Sequence, residues 1–298
     1  MTKFFILCVS LLSFNLFASD SYDRSRPDSH APISVMGDHI HKQGDFMWSY
    51  RYMSMSMDGV LNASSDISFE TYNSETSYMS YLDSMTMTMH MLGGMYAQSD
   101  KFTWMLMIPY LNNDMVVRAK MGGAFSSMNS AGIGDVKFGA LYGVLDDFAV
   151  KAHFNFAVSL PTGAIDATSG SMTVGYPMQL GSGTFDLRPS FTSIHFFNNL
   201  SFGSQFNATI RMGENDQGYR LGNLFNHKIW FSRSFDVFSL SSSLIYDQAL
   251  AITGQHSGIM TVMNAAQDAA NSGYTQLTAT VGINVSLDNG YRVAAEYL

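Results

Sequence analysis

Methionine is the residue whose number and spacing first suggest chemistry. The chain holds 22, and Met53, Met55 and Met57 are spaced by two, as are Met85, Met87, Met89 and Met91, with Met105 and Met107 continuing the theme. Thioethers are soft donors that suit Cu(I). His39, His41 and His90 would join Met53, Met55 and Met57 in a copper-binding set, which makes a copper-binding or copper-efflux function one reading. The same side chains also make a flexible, polarizable wall for an apolar solute, which is the competing one. A second group is charged: Arg51, Asp135, Lys137, Lys151, His153, Asp186, Arg188, Arg211 and Lys228. Such residues around an interior would set its selectivity. They would also have to pair among themselves, because an unpaired buried charge is costly; Lys137 with Asp135 or Asp186 is a candidate pair. Signatures of catalysis are missing: there is no Gly-x-Ser-x-Gly elbow, His-Glu-x-x-His helix, phosphate loop or dinucleotide fingerprint. Ser126, Ser127, His195 and His256 are present, but nothing in the sequence assembles them, so the reading is a protein that is not an enzyme.

The elements that carry these residues read as β-strands. From residue 134 onward apolar and polar side chains alternate: Phe148, Val150, Ala152, Phe154, Phe156, Val158 and Leu160 are interleaved with Lys151, His153, Asn155 and Ser159. The segments 200–212, 237–247 and 276–285 repeat the pattern. Successive strand side chains point to opposite faces, so each segment is a ribbon with one oily and one wet side. The segments run longer than an ordinary strand of ~5–6 residues and match a tilted bilayer crossing of ~9–11. Eleven are counted, at 46–57, 79–97, 101–111, 134–144, 148–160, 184–195, 199–212, 221–234, 236–248, 274–286 and 290–298. Bacterial barrels close with an even number, so the expectation is an all-β, transmembrane antiparallel β-barrel of about 12 strands. The extra strand would come from 113–121, from a long segment that is really two, or from a final strand beyond these. Short turns such as Asp146-Asp147 and Phe235-Asp236 contrast with long polar connections at about 58–77, 112–133, 161–183 and 248–273, as in barrels with short periplasmic turns and long outer loops.

On these ribbons Phe46, Trp48, Tyr50 and Tyr52 would face lipid, which sends Arg51, Met53, Met55 and Met57 to the lumen. Phe102, Trp104, Leu106, Ile108 and Tyr110 likewise leave Met105 and Met107 inside. In 85–91 the reading reverses: Thr86, Thr88 and His90 look luminal and the four methionines lipid-facing.

Composition agrees. Charged residues make up 13% of the chain and aromatics 13%, with 25 glycines and 6 prolines; a soluble domain carries about twice that share of charge. A net charge of −8 lacks the basic footprint of a nucleic-acid binder. Lys3, the apolar run Phe4 to Leu12 and the small residues Ala18 and Ser19 read as a signal peptide over 1–19. The single cysteine, Cys8, leaves with it, so no disulfide or thiolate site is expected in the mature chain. Residues 20–45 are an irregular segment, a plug or a periplasmic tail, and 46–298 the barrel.

Pro32-Ile33-Ser34-Val35-Met36-Gly37-Asp38-His39-Ile40-His41-Lys42, followed by Trp48-Ser49-Tyr50-Arg51-Tyr52-Met53, resembles the start of Gram-negative outer-membrane transporters grouped as the MetA-pathway phenol-degradation family. The likeness continues through Met95-Tyr96-Ala97, Ser130 to Lys137, Ser159-Leu160-Pro161-Thr162-Gly163, Tyr176 to Thr184 and Arg211 to Gly222. It implies a barrel in the outer membrane that passes small, often aromatic, hydrophobic compounds. The partners implied are the lipid bilayer, the solute and the barrel-assembly machinery, with no resident cofactor unless copper binds. A structural barrel without conductance is a third reading.

Overall fold

The computed structural model describes residues 26–287 and 291–297; the expected signal peptide, with Cys8, lies outside them. The fold is all-β, one curled antiparallel sheet of twelve strands. These are β1 (Phe46–Asp58), β2 (Ser80–Ser99), β3 (Phe102–Ala119), β4 (Phe125–Ile133), β5 (Lys137–Asp146) and β6 (Val150–Ser159), then β7 (Asp186–Phe197), β8 (Leu200–Arg211), β9 (Leu224–Phe235), β10 (Phe238–Ala249), β11 (Tyr274–Ser286) and β12 (Arg292–Tyr297). A short helix, α1 (Phe69–Glu75), is capped by the Ser68 side chain and sits in the connection after β1. No helix among the described residues is long and apolar enough to cross a membrane.

The period-two pattern gives the sheet its two faces. On β7, Ser190, Thr192, Ile194 and Phe196 are buried on the concave side while Leu187, Phe191 and Phe197 are exposed on the convex one. Phe138, Phe154, Phe156, Phe202, Phe206, Leu244, Tyr246 and Val281 carry the exposed apolar surface across neighbouring strands.

At 112–133 the structure has a hairpin in place of a long polar connection; most of 113–121 is strand, as one of the readings allows, but as the continuation of β3 and not a strand of its own. β3 continues to Ala119 and β4 returns beside it, from Arg118 opposite Phe125 to Tyr110 opposite Ile133. Gly122 and Gly123, with φ of 77° and 66°, make the turn between them, a backbone that glycine adopts without strain. Asn112, Asn113 and Asp114 look like turn residues in sequence. Asn113 is fully buried all the same, its amide donating to Ser130 Oγ at 3.2 Å.

β4 and β5 share one row. β4 pairs with the far half of β3, and β5 with the near half, Phe102–Met107. Twelve strands therefore form eleven rows, and β1 and β12 run in the same direction. An antiparallel ladder cannot join two such strands, and none joins them among the described residues.

The two edges are tied together by other means. Residues 26–41 lie inside the curl, where Ala31 and Val35 pack on Ile194, Phe196 and Trp230. Arg51 of β1 donates to Ile33 O and Val35 O at 3.0 and 3.3 Å. Between them, Ser34 donates its N–H and hydroxyl to Glu296 of β12 at 2.8 and 3.1 Å. Three consecutive residues thus hold both edge strands. Gln205 donates to Met36 O, Ser239 to Pro27 O and Ser201 to Asp28 O, which fixes the segment to the far wall. At the other end of the sheet, Met79 and Ser80 donate to the carbonyls of Val262 and Met263, so the connection before β2 meets the one before β11.

Replacing Arg51 with Met leaves two buried carbonyls without their donor, a loss of about 1–3 kcal/mol. Urea unfolding of the lipid-reconstituted chain should therefore shift to lower denaturant for R51M and not for Y52F on the exposed face. An unshifted R51M midpoint would mean that the segment does not clamp β1.

Candidate functional site

A cavity of about 1070 Å³ occupies the curl at the short-turn end. One wall is the inner segment, through Ile33, Gly37 to His41 and His30; the opposite wall is the sheet, through Met91, Met95, Met105 and Met107. These four methionines form a buried cluster with Leu141 and Ala157, extended by Met36, Ile40, Met47 and Met89. The cavity reaches the gap between β1 and β12, where Trp48, Tyr50, Tyr291 and Val293 join its lining. Trp48, Tyr291 and Val293 are exposed on the convex face, so the lining runs from the polar interior to the apolar exterior.

Polar groups punctuate the methionine wall. Arg51 is spent on the inner segment, and His153 is buried with Nε2 2.8 Å from Gly37 O. His30 and His39 flank Asp38, with Nδ1 atoms 3.5 and 3.0 Å from its carboxylate oxygens. Burial lowers the pKa of both histidines, which favours the neutral ring. Burial works to raise the Asp38 carboxyl, but the neighbouring His39 and His30 hold it well below the usual carboxylate range.

A second polar group lies toward the long connections. Strand register sets Lys137, Ser159, Asp186 and Arg211 directly opposite one another across β5, β6, β7 and β8. Asp186 is fully buried and pairs with Arg211, while Ser182 and Thr184 donate to it at 3.0 and 2.6 Å. The partner of Asp186 is thus Arg211 and not Lys137. Asp135 receives Gly163 N at 3.0 Å and Ser182 N at 2.8 Å, which draws the connection after β6 down onto the sheet.

The remaining candidates take these positions. Met105 and Met107 lie in the buried cluster. Lys151 pairs with Asp146 at the short-turn end, Arg188 is on the inner face of β7 one pleat from Asp186, and Lys228 donates to Ser34 O. Met53, Met55 and Met57 stand directly opposite Met89, Met87 and Met85. Opposed residues of an antiparallel pair share a face, and Met85 and Met91 are buried in the inner clusters. The methionines of 85–91 are therefore luminal, not lipid-facing, and His90 is on the convex side, bonded to Tyr50 OH at 2.7 Å. Threonine and histidine are more polar than methionine, which suggests the opposite face from sequence, but register with β1 decides it. The proposed copper set is consequently not assembled: His90 and the ladder from Met53 to Met57 are on opposite faces, and His39 and His41 belong to the inner segment. Sequence reasoning missed His30, Ser34 and Glu296, isolated polar residues whose partners lie 262 positions apart in the case of Ser34 and Glu296.

The family model for "Putative MetA-pathway of phenol degradation" matches residues 83–292. The chain belongs to that family. The segments through which the sequence resembles it converge in space: Ser130 to Lys137, Ser159 to Gly163, Tyr176 to Thr184 and Arg211 to Gly222 meet around Asp135 and Ser182, where Asn215 donates to Ser182 O at 3.0 Å. Gly163 and Gly181 permit the contact, since a Cβ on either would lie about 2.5 Å from the other's backbone or from Leu180 O. No curated protein matches the chain. Among solved structures it is similar to an outer membrane channel from Pseudomonas putida F1, with 12% identity over 88% of this chain and 90% of that one and a TM-score of 0.57. It also aligns with a FadL homologue from Pseudomonas aeruginosa, with 10% identity over 84% of this chain and 65% of that one and a TM-score of 0.43. The first likeness is one of fold: this family member has the curled sheet of an outer-membrane β-barrel channel.

Breaking the Asp186–Arg211 pair from one side strands a buried charge, a cost of about 3–5 kcal/mol. D186N and R211M should each lower the urea midpoint strongly, and the double variant should recover most of the loss. Additive losses in the double variant would show that the two side chains are not coupled.

Proposed function

We propose that the protein is an outer-membrane channel for small hydrophobic solutes, aromatic ones among them, that lets them pass between its interior and the hydrocarbon. One observation carries this reading: a methionine-walled cavity lies behind a sheet whose convex face is apolar from strand to strand, and its lining continues to that face between β1 and β12. A solute with an aromatic body and one polar group suits such a space. Thioether side chains adapt to its shape, while the histidines of the inner segment that line the cavity offer polar contacts. The luminal segment narrows the passage, so the channel admits small molecules and excludes large ones. The name of the matched family and the channel from Pseudomonas putida F1 support transport of this kind. In this reading the protein carries out no reaction on its solute, and the barrel-assembly machinery delivers it to the membrane.

The test is uptake of phenol-class solutes by vesicles with a lipopolysaccharide outer leaflet, with and without the protein. The protein should accelerate entry of the aromatic solute more than that of a sugar of similar size. M105K, which sets an ammonium in the methionine wall, should slow that entry about tenfold, the effect of a barrier raised by ~1.4 kcal/mol. Entry no faster than into protein-free vesicles would reduce the protein to a structural barrel.

A further inference from the structure

His30, Asp38 and His39 bring three potential ligand atoms within 4.8 Å of one another inside the curl. We propose that they form a binding site for a divalent transition-metal ion of the zinc class, and that the ion fastens the luminal segment in its folded form.

The donor set fits that ion. Two imidazole nitrogens and one carboxylate are what zinc-class ions take when an open position remains for water or a further ligand, and nothing about the set favours Cu(I), which prefers sulfur. The geometry is built, not incidental. Asp38 is 4% exposed, and its Oδ2 already accepts the N–H of Ala31 at 3.1 Å, the kind of outer contact that orients a ligating carboxylate. The Nδ1 atoms of His30 and His39 are buried without a well-aligned hydrogen-bond partner, and they lie 3.5 and 3.0 Å from oxygens of the same carboxylate. Two imidazole nitrogens gathered at one carboxylate form a set that a cation between them would use. The rings of His30 and His39 meet edge to face at 4.4 Å between centroids, and His41 stacks its edge on His39 at 4.5 Å. Among the charged groups around it are Arg51, Lys228 and Arg292, with Glu296 as a second anion beside Asp38.

The site closes a loop. Gly37, at φ 61°, turns the chain so that Asp38 and His39 come back against His30. A bound ion would cross-link residue 30 to residues 38 and 39 and so rigidify the stretch that clamps β1 to β12. The proposal does not depend on what the channel carries, and its test reads metal directly.

The experiment is calorimetric titration of Zn2+ into the refolded full chain, prepared without a histidine tag. One ion per chain should bind, with affinity falling at least about tenfold in H30A, H39A and D38N and unchanged in H227A, whose ring contacts Ser204 on the convex face. Zn2+ should also slow proteolysis within 26–45 in the parent chain, and EDTA should reverse this. Absence of binding, or binding that survives all three substitutions, overturns the proposal. Should a variant fail to fold, Co2+ added to the parent chain decides: d–d bands of nitrogen and oxygen coordination support the site, and their absence overturns it.

Discussion

An even count of rows lets an antiparallel sheet close on itself; an odd count does not. Here the pairing of β4 and β5 in one row leaves eleven, so the first and last strands are parallel and their edges cannot exchange the usual ladder. Part of the interior bridges those two edges. The segment before β1 lies within the curl, and Ile33, Ser34 and Val35 satisfy Arg51 on one edge and Glu296 on the other. Glu296 also accepts from Thr280 and from Ser243 at 3.3 Å, which extends the tie to β10 and β11. The gap left between the edges is where the cavity lining reaches the exterior.

The interior divides into two chemistries. At the short-turn end, methionines from β2 and β3 meet the inner segment and leave space. Farther along, charge and hydroxyls are consumed by one another: Asp186 by Arg211, Ser182 and Thr184, and Asp135 by Ser182 and the backbone of Gly163. The second group acts as a buttress that holds the connections at 161–183 and 212–223 over the sheet. Tyr176, Tyr219 and Ile259 close that end as an apolar cluster drawn from three connections. Open space therefore coincides with the thioether wall, and the paired charges are spent on structure.

What the sequence settled follows from a local rule. Successive strand side chains alternate, so a ribbon such as 148–160 announces its two faces wherever one residue type is decisively oily and the next decisively wet, and Arg51, Met105, Met107, His153 and Asp186 fall on the interior side by that rule. The rule weakens where both faces carry intermediate side chains. In 85–91 methionine alternates with threonine and histidine, and only the pairing of Met89 with Met53 and Met87 with Met55 fixes which row turns inward. In 112–133 the sequence offers 113–121 as strand but not its partner: Asn113 is held in a strand where Ser130 and Met178 O receive its amide. Position along the chain carries no information about which residues meet when a sheet curls. The contacts of Ser34 with Glu296, of Arg51 with Ile33, and of His30 with Asp38 across a turn had to come from the tertiary structure, because each depends on a short irregular segment lying inside the sheet.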